Sequence, residues 1–197
     1  MRTEIEYGPG TALVVVDMQN DFADPTGSLY VQGAEVVLVR VNEEIEQARE
    51  ARGLVVYTQD WHPPSTPHFA KDGGIWPVHC VAGTWGAEFH PELIVTGESV
   101  HKGGEELDGY SGFSARHPKT GVVTPTELEE RLRDNEIDRV VIAGLATDYC
   151  VKETALDAVR LGFDTMVLGD AISAVDLRPG DGSRAIEAML EAGVVVG

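Results

Sequence analysis

Short apolar, β-branched runs that stop abruptly at a polar or glycine residue recur along this chain. Ala12 to Val16 ends at Asp17, Leu54 to Thr58 at Gln59-Asp60, Val140 to Ala143 at Gly144, and Thr165 to Leu168 at Gly169-Asp170. Unbroken rather than alternating hydrophobicity is the pattern of parallel strands covered on both faces. Weaker strand signals lie at Glu98 to His101 and at Val194 to Val196. Between the runs, helical periodicity covers Ala34 to Arg52, Pro125 to Asn135, Val151 to Leu161 and Ser183 to Ala192. Thr124 is the expected N-cap of the second helix with Pro125 at its first position, and Gly162 closes the third. Alternating strands and helices require right-handed crossovers that bury one face of each helix. The predicted fold class is therefore α/β: a three-layer α/β/α sandwich with a mostly parallel central sheet, Rossmann-like, in one domain over residues 1–197.

Charge narrows the range of partners. Fifteen Lys and Arg face 33 Asp and Glu, a formal net charge of −18, which repels nucleic acid and anionic membranes. The expected partner is a small neutral molecule, with association into homo-oligomers left open. No stretch approaches a membrane span and the first residues lack an apolar leader core, so a cytoplasmic protein is expected. Two cysteines, Cys80 and Cys150, are too few for a disulfide framework and read as free thiols in a reducing compartment.

In open α/β sheets ligands bind beyond the carboxyl ends of the strands. Asp17, Asp60, Lys102 and Cys150 each follow a predicted strand, so four loops would deliver polar groups to one rim. Each has a plainer alternative: a turn cap for Asp17, an N-cap for Asp60, a solvated amine for Lys102, a packed small hydrophobe for Cys150. Their convergence favours chemistry. Cys150 lies at a strand-to-helix turn, where the helix dipole is expected to favour thiolate. The irregular segment Trp61 to Leu93 is too long for a passive connection. With Asp60 just before it, it supplies one carboxylate and three imidazoles, His62, His68 and His79, a donor set suited to Zn, Fe or Mn. The alternative is a set of loop histidines that bind nothing. Cys80 is expected to pack rather than ligate, and His90, His101 and His117 have no partner readable from sequence.

Five motifs together resemble the nicotinamidase (pyrazinamidase-like) branch of the isochorismatase-like cysteine hydrolase superfamily. They are Val-Asp17-Met-Gln-Asn-Asp-Phe22, Asp60-x-His62 with His68, Trp76-Pro-Val-His79-Cys80, Lys102-Gly and Gly144-Leu-Ala-Thr-Asp-Tyr-Cys150. The resemblance implies a triad of Asp17, Lys102 and Cys150, and one divalent metal ion held by Asp60, His62, His68 and His79. It implies a substrate ring flanked by Phe22, Trp76 and Tyr110. It also implies a cis peptide between Leu145 and Ala146, which would aim the N–H groups of Ala146 and Cys150 at one oxyanion. Two features depart from the pattern: Tyr149 stands where a histidine is common, and the acidic stretch Glu105-Glu106-Leu107-Asp108 precedes Tyr110.

The activity this implies is hydrolysis of nicotinamide to nicotinate and ammonia through a thioester on Cys150, a step of NAD salvage, with the pyridine nitrogen on the metal. A sister amidohydrolase acting on another carboxamide or ureido substrate would keep the triad without needing three histidines. A non-catalytic metal- or ligand-binding module on the same scaffold would need neither nucleophile nor lysine.

Overall fold

The computed structural model describes residues 5–104 and 107–197. Six strands form one sheet: β1 (Thr11–Val16), β2 (Leu54–Gln59), β3 (Ser99–His101), β6 (Arg139–Leu145), β7 (Asp164–Ser173) and β8 (Val195–Val196), in the order β3-β2-β1-β6-β7-β8. Every neighbouring pair is parallel. Side chains alternate between two cores. Leu13, Val15, Val55, Tyr57, Val141 and Ala143 face one, with α2 (Ala34–Glu50) packed over them. Ala12, Val14, Val16, Val56, Val140 and Ile142 face the other, beneath α3 (Leu128–Asp134), α4 (Lys152–Arg160) and α5 (Asp181–Glu191). The three-layer α/β/α expectation holds because both faces of β1, β2 and β6 are apolar and both are covered. Among the described residues no helix is long and apolar enough to cross a membrane.

The chain fills the sheet outward from β1, first toward β3 and then toward β8, so the order reverses between β1 and β6. That reversal opens a crevice at their carboxyl ends. Asp17 follows β1, and Cys150 lies just after β6.

The helix expected over Pro125 to Asn135 begins later. Val123–Pro125 is β5, paired antiparallel with β4 (Ser114–Arg116), so Thr124 and Pro125 belong to a hairpin and not to a helix start. The β-branched run Val122-Val123-Thr124 wins locally, and Pro125 is tolerated because a two-stranded ribbon has only edge strands. Thr126 makes the transition instead: its hydroxyl donates to the Gly112 carbonyl at 2.6 Å and accepts from the Leu128 N–H at 3.2 Å. β7 extends past Gly169-Asp170, with a register irregularity against β6 between Ile142 and Gly144. A short α1 (Asn20–Ala23), not expected from periodicity, follows β1.

At Gly144 the backbone has φ +117°, and a Cβ there would lie 2.1 Å from the Val16 carbonyl oxygen. Only glycine lets β6 run this close to the end of β1. Gly144→Ala is expected to lower unfolding free energy by about 2–4 kcal/mol, read as a reduced urea midpoint at unchanged slope.

Candidate active site

Four strand ends converge as the sequence predicts. The Lys102 ammonium, fully buried, sits between the carboxylates of Asp17 and Asp60, in contact with the first and 2.9 Å from Oδ1 of the second. It also lies 3.0 Å from Cys150 Sγ and donates to the Tyr110 carbonyl at 3.0 Å. Thr58, the penultimate residue of β2, donates its hydroxyl to Asp17 Oδ1 at 2.7 Å and fixes that carboxylate. Ligand atoms of Asp17, Asp60 and Cys150 all lie within 4.8 Å of one another, but the ammonium already supplies their cation.

The electrostatics follow from burial. For Lys102 burial opposes the charged form, but Asp17, Asp60 and the sulfur outweigh it and hold the ammonium well above its usual range. Burial raises Asp17, and the pull of Lys102 does not cancel it. Burial also pushes the Cys150 thiol well up, despite Lys102. Burial thus opposes the sulfur anion and makes the carboxylate beside it more basic than usual. Cys150 lies inside a π turn, Thr147–Val151, ahead of α4, where loss of water works against the thiolate that the helix start and the ammonium favour.

Backbone geometry around the sulfur matches expectation at one point: the Leu145–Ala146 peptide is cis. Two anchors were not legible in the sequence. Asp148, buried, accepts the N–H groups of Val175 and Asp176 on separate oxygens, each at 2.9 Å, and ties the turn that carries Cys150 to the loop before α5. Gln19 brackets Asp60: it accepts the Asp60 N–H at 2.8 Å and donates to the Asp60 carbonyl at 2.8 Å. Both join residues distant in sequence, so no local signal announces them.

The segment from Trp61 to Leu93 forms a second wall. Ligand atoms of His62, His68 and His79 lie within 4.8 Å of one another. Asp60 Oδ2 is 3.6 Å from His62 Nε2 and 3.8 Å from His79 Nε2. His79 Nδ1 donates to the Pro77 carbonyl at 2.7 Å, which turns Nε2 toward the carboxylate. A carboxylate and imidazole nitrogens converging beyond hydrogen-bond distance in a buried site form a donor set that a cation would complete. Both ring nitrogens of His62 are buried without a hydrogen bond, a costly arrangement unless one of them ligates. Burial and the neighbouring imidazoles push His68 down to about 3, leaving it neutral and able to donate a lone pair. Burial opposes ionisation of Asp60, but the Lys102 ammonium beside it holds its carboxyl well below the usual carboxylate range. Three imidazoles and one carboxylate fit a divalent ion of the zinc, iron or manganese type.

Between the two clusters lies a pocket with about 340 Å³ of empty space, lined by Phe22, Trp76, Tyr110, Ala146, Tyr149 and Cys150 among others. Phe22, Trp76 and Tyr110 all line this pocket. Burial pushes Tyr110 up to about 12, so its hydroxyl stays protonated, and it accepts from Trp76 Nε1 at 3.0 Å. Tyr149, noted in the sequence only as a departure, packs edge-on to Trp76 at 4.8 Å and completes the aromatic wall. Leu29 and Val175 were missed as lining residues. Cys80 packs in the core, and burial pushes its thiol well up. His101 stacks on Trp61 at 4.2 Å, outside the imidazole cluster. Of the acidic stretch, Glu105 and Glu106 lie outside the described residues.

Lys102→Met would leave two buried carboxylates without their cation. Folding stability is expected to fall by about 3–5 kcal/mol at neutral pH, measured by urea unfolding. Carboxylates stripped of a partner bind protons more tightly folded than unfolded. The deficit should therefore shrink as pH falls through the acidic range.

The isochorismatase domain family matches residues 11–197. The nicotinamidase of Escherichia coli (strain K12) is 36% identical over 208 residues, covering 95% of this chain and 94% of that protein. The pyrazinamidase of Pyrococcus horikoshii, solved in complex with zinc, superposes with a TM-score of 0.84 at 41% identity, over 96% of this chain and 99% of that one. PnC1 from L. infantum, solved in complex with nicotinate, gives 0.87 at 35% identity over 98% and 95%. The chain belongs to the isochorismatase family and is one of its amidohydrolases.

Proposed function

We propose that this chain is a nicotinamidase, a metal-dependent cysteine hydrolase that converts nicotinamide to nicotinate and ammonia and so serves NAD salvage. The observation that carries the reading is the arrangement of Lys102 3.0 Å from Cys150 Sγ and against Asp17, at the edge of an aromatic pocket whose other side is the imidazole cluster. A flat, uncharged ring suits walls made of Phe22, Trp76, Tyr110 and Tyr149. Nicotinate and zinc bound to two similar proteins support the substrate class and the metal. Both thiols are free, which fits a reducing cytoplasm.

Asp60, His62, His68 and His79 would hold the metal, which when bound anchors the ring nitrogen and so fixes where the carboxamide lies. The chain's own residues do the remaining work. Asp17, made more basic by burial, takes the Cys150 proton as sulfur forms a bond to the amide carbon. Lys102 stays charged and stabilises the sulfur anion as it develops. The N–H groups of Ala146 and Cys150 are assigned to the carbonyl oxygen as it gains charge, a role worth about 2.7–4 kcal/mol per donor. Asp17 returns its proton to the nitrogen, the C–N bond breaks and ammonia leaves with the thioester formed. Asp17 then takes a proton from water, whose oxygen attacks the thioester carbon. The C–S bond breaks, the proton on Asp17 returns to sulfur, and nicotinic acid leaves, giving its own proton to water or the released ammonia to become nicotinate.

Cys150→Ala is expected to abolish nicotinate release while keeping the metal content of the parent protein, measured by chromatography beside elemental analysis. His62→Ala should lose the metal and bind nicotinamide far more weakly. Activity retained by the first variant would move the nucleophile elsewhere, and metal retained by the second would remove His62 from the ligand set. Benzamide, which lacks the ring nitrogen, should be hydrolysed at least about tenfold less efficiently in kcat/KM than nicotinamide, the loss of one good interaction. Equal turnover would exclude recognition through that nitrogen.

A further inference from the structure

Asp108 belongs to the acidic stretch that departs from the family pattern, and nothing in the hydrolysis mechanism uses it. Its side chain is nearly buried, 7% exposed as a residue, with Oδ2 3.7 Å from His68 Nδ1. No hydrogen bond to this carboxylate is formed among the described residues. The segment that carries it is held at both ends. The Asp108 backbone exchanges hydrogen bonds with Arg116 on β4, and two residues on, the Tyr110 carbonyl accepts from Lys102 at 3.0 Å. A Cβ on the intervening Gly109 would lie 2.7 Å from the Ser114 carbonyl, so the segment is pressed against the hairpin.

The charge count around the imidazoles gives this carboxylate a purpose. Asp17 and Asp60 share one ammonium, and an imidazole that ligates brings no negative charge to the cation. A divalent cation there would meet only one carboxylate, and that one is already paired on its other oxygen with Lys102. Asp108 adds a second negative charge on the far side of His68. At 3.7 Å from Nδ1 its charge also favours a proton on that nitrogen, which leaves Nε2 free to ligate.

We propose that Asp108 is a positioning residue for the metal centre: its carboxylate orients His68 and strengthens the hold of the site on a divalent cation. This rests on the reading of His68 as a ligand. Carboxylates that orient ligating histidines typically change metal affinity by about 10–100-fold.

The test is competition for Zn²⁺ between a chromophoric chelator and metal-stripped protein, comparing the parent with Asp108→Ala, Asp108→Asn and Glu129→Gln. Glu129 lines the same outer groove without touching an imidazole. Asp108→Ala should bind zinc 10–100-fold more weakly. Asp108→Asn keeps an acceptor but no charge, and should fall between Asp108→Ala and the parent. Glu129→Gln should match the parent. The urea midpoints of the metal-free proteins establish that the near-isosteric asparagine variant is folded when measured. Zinc affinity unchanged in both Asp108 variants overturns the proposal, as does an equal loss in Glu129→Gln, which would reduce the effect to general surface charge. A parent protein that takes up no zinc would instead refute the metal site itself.

Discussion

One ammonium group buried among three proton-binding partners sets the terms for everything at the carboxyl rim of this sheet. Lys102 is fully enclosed, yet stays charged because Asp17, Asp60 and Cys150 surround it. An uncompensated buried charge would cost several kcal/mol, so none of these four groups can be understood alone. The fold supplies each from a different strand end: β1 gives Asp17, β2 gives Asp60, β3 gives Lys102, and the turn after β6 gives Cys150. Only a parallel sheet aligns four carboxyl ends on one edge, and only the reversal of strand order between β1 and β6 leaves room above them.

Much of this was legible in the sequence, and the reason is physical. Strands covered on both faces need continuous apolar runs, so their ends are sharply marked, and the first polar residue after each run falls at the rim. The histidines were legible because a long irregular segment rich in metal-binding side chains has little reason to exist as a connection. Hydrogen bonds between residues distant in sequence were not legible. Gln19 brackets Asp60 and Asp148 clamps Val175 and Asp176, but in each case the partners are brought together only by the finished fold. The start of α3 was misplaced because Pro125 satisfies the rule for a first helical residue and equally that for an edge strand. The strand pairing of Val123 with Arg116 decides between them.

The surroundings of Cys150 include an effect that local sequence does not show. A helix start and a lysine favour thiolate when only neighbours are counted. In the folded chain desolvation is the larger effect, and the same loss of water that disfavours thiolate also raises Asp17. Two acids raised together, one directly beside the ammonium and the other 3.0 Å from it, can exchange a proton at less cost than an ordinary carboxylate and a buried thiol could. The burial that opposes the sulfur anion therefore also makes the neighbouring carboxylate a better proton acceptor.

Asp60 joins the thiol side to the imidazole side. Its Oδ1 faces Lys102 at 2.9 Å, while Oδ2 faces His62 and His79 at 3.6 and 3.8 Å. Its charge is divided between the two clusters, and Gln19 prevents its backbone from shifting toward either. Any positive charge gathered at the imidazoles draws on that carboxylate and leaves more of the Lys102 field for Asp17 and the sulfur. More of that field lowers the cost of forming sulfur anion. The imidazole and thiol halves of the pocket are thus coupled through a single buried carboxylate without any movement of the fold.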